Sequence, residues 1–164
     1  MPKSAINFLM LSRAYTSNGD TDKAIENLNK AIRLKPNEYE IYFEIGMELY
    51  EKCSFDAAIK CFKNTIKLRP NFAPAYFALG LLELALGKAD KAVAYSKQVL
   101  AIKPDYAEAY ITMGKAFEIQ LKLDEAISYY RKAIFIKNDC QQAYEYIGNV
   151  LRKQDNFCDA ISAY

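Results

Sequence analysis

The chain has 164 residues, 52% of them hydrophobic and 26% charged, which is enough to bury a substantial core and too apolar a mixture to stay disordered. It contains no histidine, so Ser-His-Asp catalysis, Cys-His catalysis and histidine-ligated zinc are excluded. A formal charge of +2 gives no reason to expect nucleic acid as a partner.

The start of the chain has a short apolar run broken by Asn7, Ser12 and Arg13 and no small-residue cleavage site, so no secretory signal is expected. No stretch reaches the ~18–20 uninterrupted apolar residues of a membrane span. Cys53, Cys61, Cys140 and Cys158 never form a C-x-x-C spacing, so reduced thiols and a cytoplasmic location are expected.

Prolines recur at Pro36, Pro70 and Pro104, 34 residues apart, and the period extends to most of the chain. The first repeat, residues 5–38, places Phe8, Leu11 and Ser12 at helical spacing, then a Gly19-Asp20 turn, then Asp22, Ala24, Leu28 and Ala31 before Pro36. The second, 39–72, has Tyr42, Ile45 and Gly46, the turn Cys53-Ser54, then Asp56, Ala58, Phe62 and Thr65 before Pro70. The third, 73–106, has Tyr76, Leu79 and Gly80, the turn Gly87-Lys88, then Asp90, Ala92, Ser96 and Val99 before Pro104. The fourth, 107–140, has Tyr110, Met113 and Gly114, the turn Leu121-Lys122, then Asp124, Ala126, Tyr130 and Ala133, with Asn138 where the proline would stand. A partial fifth, 141–164, carries Tyr144, Ile147 and Gly148, then Ala160 and Tyr164.

Each repeat is therefore expected to be a helix pair. An acid in the first turn of the second helix suits the helix dipole, and proline stops that helix because it disfavours the helical conformation of the residue before it. Glycine in the eighth column and alanine in the twentieth let two backbones approach, while the aromatic columns fill the wider gaps. One pair cannot bury its apolar face alone, so stacking makes the core continuous.

With these columns in view the sequence resembles the tetratricopeptide repeat family. Its pattern W-x-x-L-G-x-x-Y, A-x-x-x-F and P is matched by Tyr76-Phe77-Ala78-Leu79-Gly80, by Ala126-Ile127-Ser128-Tyr129-Tyr130 and by Pro104. Departures are Tyr or Phe in the tryptophan column, Glu83 where the family usually has an aromatic, and Ser96 in the twenty-fourth column, with Tyr95 expected to compensate. The resemblance implies an all-α, right-handed superhelical solenoid of antiparallel helix pairs, about four and a half repeats forming a single array over 1–164.

It also implies that the first helices line a concave groove that holds a partner. Carried over by spacing, the groove positions are Leu9, Arg13 and Thr16, then Glu40, Phe43, Glu44, Met47, Tyr50 and Glu51, then Phe77, Leu81, Leu84 and Ala85. Glu108, Ile111, Thr112, Lys115, Glu118 and Ile119 follow, then Gln142, Glu145, Tyr146, Asn149 and Arg152. Phe43, Met47, Tyr50, Phe77, Leu81 and Leu84 make an apolar floor suited to partner binding. The first helices hold eight glutamates against five basic residues, so an acidic inner face and a basic outer one are expected.

The expected function is a non-catalytic interaction module that binds a protein or peptide ligand bearing apolar anchors and Lys or Arg, with no cofactor, no metal, no nucleic acid and no membrane. The carboxylate clamp of chaperone-adaptor members is not reproduced, since its positions carry Leu9, Arg13, Glu44, Pro74 and Ala78. Nor is the asparagine ladder of O-GlcNAc transferase arrays, whose column here is Met10, Glu44, Ala78, Thr112 and Tyr146. The chain stops within the fifth repeat's second helix, which suggests a fragment. The alternatives are thus a substrate-recruiting segment of a larger enzyme such as a glycosyltransferase, or a self-assembling scaffold associating end to end through an uncapped helix.

Overall fold

The computed structural model describes residues 5–34 and 39–154, all of whose regular structure is helical. The helices are α1 (Ala5–Ser17), α2 (Thr21–Leu34), α3 (Tyr39–Glu51), α4 (Phe55–Leu68), α5 (Ala73–Ala85), α6 (Ala89–Ile102), α7 (Ala107–Ile119), α8 (Leu123–Ile136) and α9 (Gln141–Lys153). First and second helices alternate with the register expected from the sequence, and the architecture is a helical solenoid of repeated pairs. Pro36 and the fifth repeat's second helix, including Cys158, Ala160 and Tyr164, lie outside the described residues.

The chain's contacts divide into two compact units, Met1–Ala78 and Leu79–Tyr164. In the first, α1 packs on α2 and α3 on α4, and α1 also touches α3. In the second, α7 packs on α8, α6 on α7 and α8 on α9.

The small-residue columns govern how closely each pair approaches. Ala24, Ala58, Ala92 and Ala126 are all 0% exposed, so no side-chain bulk separates the helices there. In the first repeat Ser12 replaces glycine, and its buried hydroxyl donates to the Ala24 carbonyl at 2.7 Å. In the second and fourth repeats the glycine is covered by a ring. A methyl added at Gly46 would come within 2.7 Å of Phe62 Cε1, and one at Gly114 would run into Tyr130. The third repeat differs: a methyl at Gly80 would meet Ser96 Oγ and Tyr95 Cβ at 3.6 Å and the Ala92 carbonyl at 3.7 Å, ordinary contact distances. Without an aromatic in the twenty-fourth column, the nearest approach to Gly80 comes from Ser96 Oγ and Tyr95 Cβ rather than from a ring.

The turn inside each repeat is closed the same way. The residue two before each second helix closes its turn in the left-handed region, at Gly19 (φ 79°), Cys53 (φ 57°), Gly87 (φ 71°) and Leu121 (φ 59°). The next amide reaches back five residues, as from Ser54 to Leu49 O at 2.9 Å and from Lys122 to Phe117 O at 2.9 Å, the bond of a Schellman cap. Glycine reaches this conformation without steric cost; Cys53 and Leu121 do not.

The first-turn acids have a second use that the repeat pattern alone does not reveal. In the second unit Gln120 Nε2 donates to Asp90 Oδ1 at 2.8 Å, and Gln154 Nε2 donates to Asp124 Oδ1 at 3.0 Å. Each bond ties the end of one first helix to the start of the preceding second helix.

Candidate functional site

The expected groove residues are best followed within each unit. In the first, Phe43 is half-buried, its ring 5.1 Å from that of Phe72 edge-on and 5.7 Å from that of Phe62. Tyr50 is half-buried beside Phe55 at 5.9 Å, and Phe77 is half-buried. Met47, 36% exposed, is the most open apolar side chain of α3. Glu40 and Glu51 are exposed. Glu44, by contrast, pairs with Arg13, whose Nε also lies 3.5 Å from Glu48. Both partners of the Arg13–Glu44 pair are 55% exposed, so its worth is that of a surface bridge, at most about 1 kcal/mol. The Lys52 ammonium, placed on the Thr16 carbonyl, is the other cation at this face. Four glutamates of α3 thus stand against Arg13 and Lys52.

In the second unit the first helices enclose an open depression of about 420 Å³, lined by Leu84, Lys115, Glu118, Ile119, Tyr146, Asn149 and Lys153. Six of these stand at expected groove positions. Lys153 does not: it sits one residue beyond the assigned Arg152, and its ammonium reaches Glu118 Oε2 at 2.8 Å. Side chains on a helix lean toward its N-terminus, which brings this last-turn lysine onto the face of the preceding turn. Leu81 is half-buried, and Leu84 also packs against Ala89, Ala92 and Ala116.

Ile111 departs from its expected place on the groove. It is 7% exposed and belongs to the core cluster that joins Ala126, Tyr130, Ala143 and Ile147; the neighbouring helix pair takes up its side chain. Thr112 is likewise buried, its hydroxyl turned to the Glu108 carbonyl at 2.9 Å, while Glu108 itself is exposed.

The glutamates of this unit also behave differently from a solvated face. Glu83 is 4% exposed, with Lys88 at 3.9 Å and its Oε2 without a hydrogen-bond partner among the described residues. Glu118 accepts a 2.5 Å bond from the Tyr130 phenol. Burial, followed by this bond and the carboxylate's charge, pushes the Tyr130 phenol well above its ordinary pKa. Tyr130 in turn stacks on Tyr146 at 5.3 Å, and the Lys115 ammonium lies 4.3 Å from the Tyr146 ring centre.

Among the described residues no group of three or more His, Cys, Asp or Glu is arranged to hold a metal ion, and no helix is long and apolar enough to cross a membrane. Cys53, Cys61 and Cys140 are free thiols, and burial pushes Cys61 up to about 12.

Comparison with known proteins agrees with the repeat architecture. Family models described as TPR repeat and tetratricopeptide repeat match residues 13–52, 43–107 and 107–140. No curated protein matches the sequence. Among solved structures, a crystal structure of MamA superposes with a TM-score of 0.81 at 24% identity, covering 99% of this chain and 89% of that one. MamA from Desulfovibrio magneticus RS-1 gives 0.80 at 23% identity, with 99% and 92% covered. YrrB, a TPR protein with an unusual peptide-binding site, gives 0.72 at 18%, with 98% and 82% covered. At these identities the superpositions establish the fold alone. The family models, matching in succession from residue 13 to residue 140 over helix pairs in the expected register, show that the chain belongs to the tetratricopeptide repeat family, a family of protein-interaction folds.

Proposed function

We propose that the chain is a non-catalytic interaction module whose first-helix faces hold a segment of a partner protein, helical or extended. The observation that carries this reading is the open depression of about 420 Å³ lined wholly by residues of first helices, of a size suited to side chains of a bound peptide. On the first unit the α3 face pairs the exposed Met47 with Glu40 and Glu51, a combination suited to apolar anchors and Lys or Arg. The adaptable thioether fits varied partners, and charge there contributes more to encounter rate and selectivity than to affinity. YrrB offers a precedent for peptide binding on this fold. The free thiols of Cys53, Cys61 and Cys140 favour a reducing compartment such as the cytoplasm.

The test is binding of a capped amphipathic peptide of Leu, Ala and Lys, followed by isothermal titration. Met47→Ala lowers affinity by about fivefold to tenfold, the loss of a modest apolar anchor. Glu40→Lys with Glu51→Lys lowers it further at low salt and less as salt rises. Unchanged affinity in folded variants places the α3 face outside the binding surface.

A further inference from the structure

The depression on the second unit has a charge opposite to the acidic excess that the first helices show in sum. Lys115 and Lys153 border it with a single carboxylate, Glu118. That carboxylate is already engaged: Oε1 accepts from the Tyr130 phenol at 2.5 Å, and Oε2 lies 2.8 Å from Lys153 Nζ. Lys153 is thereby balanced, and Glu118, 16% exposed, has little surface left to offer.

Lys115 has no such balance. Among the described residues no carboxylate pairs with it, and its ammonium lies against the Tyr146 ring. A ring quadrupole holds a cation without cancelling its charge. The side chain is half-buried, so an anion arriving there competes with less water than on an open surface. Leu84 and Ile119, the latter 49% exposed, supply apolar area beside it.

From this arrangement we propose that the depression is a subsite for an Asp or Glu side chain of a partner segment, flanked by an apolar residue, with Lys115 as the counter-charge. The subsite rests on the protein-interaction reading above and gives it a polarity: the second unit takes an acidic residue where the α3 face of the first takes basic ones. A lysine of the partner is disfavoured in the depression, because Glu118 is engaged and both ammonium groups repel it.

The experiment titrates the isotope-labelled chain with three capped amphipathic peptides that differ only at two positions, which are Glu, Gln or Lys. The Glu peptide shifts the amides of Leu84, Lys115 and Tyr146 and binds about threefold to fivefold more tightly than the Gln peptide, the worth of a partly screened ion pair. The advantage shrinks with added salt. Lys115→Gln abolishes it with the thermal unfolding curve unchanged, and Lys115→Arg retains it. Equal binding of the Glu and Gln peptides, preference for the Lys peptide, or absence of shifts on α5, α7 and α9 overturns the subsite. If the Lys peptide still shifts α3 amides in that event, the wider interaction reading stands. If instead α3 is silent and the Glu advantage persists, it is the α3 assignment that fails.

Discussion

The second and fourth repeats build their helix pairs one way and the third another. In the former a ring lies over glycine, Phe62 on Gly46 and Tyr130 on Gly114, with both rings 0% exposed. In the third, Gly80 faces Ser96, whose buried hydroxyl lacks a partner among the described residues, and the backbone of Ala92 comes close instead. The lesson is that the glycine column serves two purposes within one sequence. Under a ring it makes room for a side chain, and in the third repeat it stands near another helix's backbone.

Removing the rings is the most severe way to test this contrast. Tyr130→Ala and Phe62→Ala each cost about 3–5 kcal/mol in urea unfolding, from lost transfer energy and the cavity left behind, whereas Ser96→Ala changes stability by under about 1 kcal/mol, since it deletes an unsatisfied hydroxyl. If Ser96→Ala were as costly as Tyr130→Ala, the two architectures would be equivalent. Adding a methyl sharpens it further. Gly46→Ala and Gly114→Ala destabilise by about 1–3 kcal/mol, because a tightly held ring must move. Gly80→Ala has room and gains up to about 1 kcal/mol of helix propensity, so opposite signs in thermal melts are the expected result.

The same repeats differ at their turns, with the smallest effect. Cys53 and Leu121 hold left-handed backbone where the first and third repeats have glycine. Cys53→Gly and Leu121→Gly relieve about 1 kcal/mol of steric cost, partly offset by the entropy glycine loses on folding. A net gain of a few tenths of a kcal/mol in chemical denaturation is expected, while the reverse change, Gly87→Leu, destabilises.

Much of this was legible in the residues. The period, the helix pairs and the close approach at the alanine column follow from small residues recurring at fixed spacing. The left-handed turn was legible at Gly19 and Gly87 and hidden at Cys53 and Leu121, where the side chain does not announce the backbone. Charge was the least legible property, because a count treats every glutamate of a face alike. Glu83 is buried, Glu44 is paired with Arg13, and Glu118 is held between a phenol and Lys153. These partners lie in other helices, at distances along the chain that helical periodicity does not encode. Ile111 was misplaced for a related reason: its burial depends on the neighbouring pair, not on its own helix.

The chain from Lys153 through Glu118 to Tyr130 has an optical consequence. With 13 tyrosines and no tryptophan, the protein's near-ultraviolet emission is tyrosine emission. A carboxylate hydrogen-bonded to a phenol quenches it, so Tyr130 is expected to emit weakly for as long as Glu118 keeps its place. A ligand that draws Lys153 toward itself alters the field on that carboxylate, and the signal comes from inside the helix pair without any attached label.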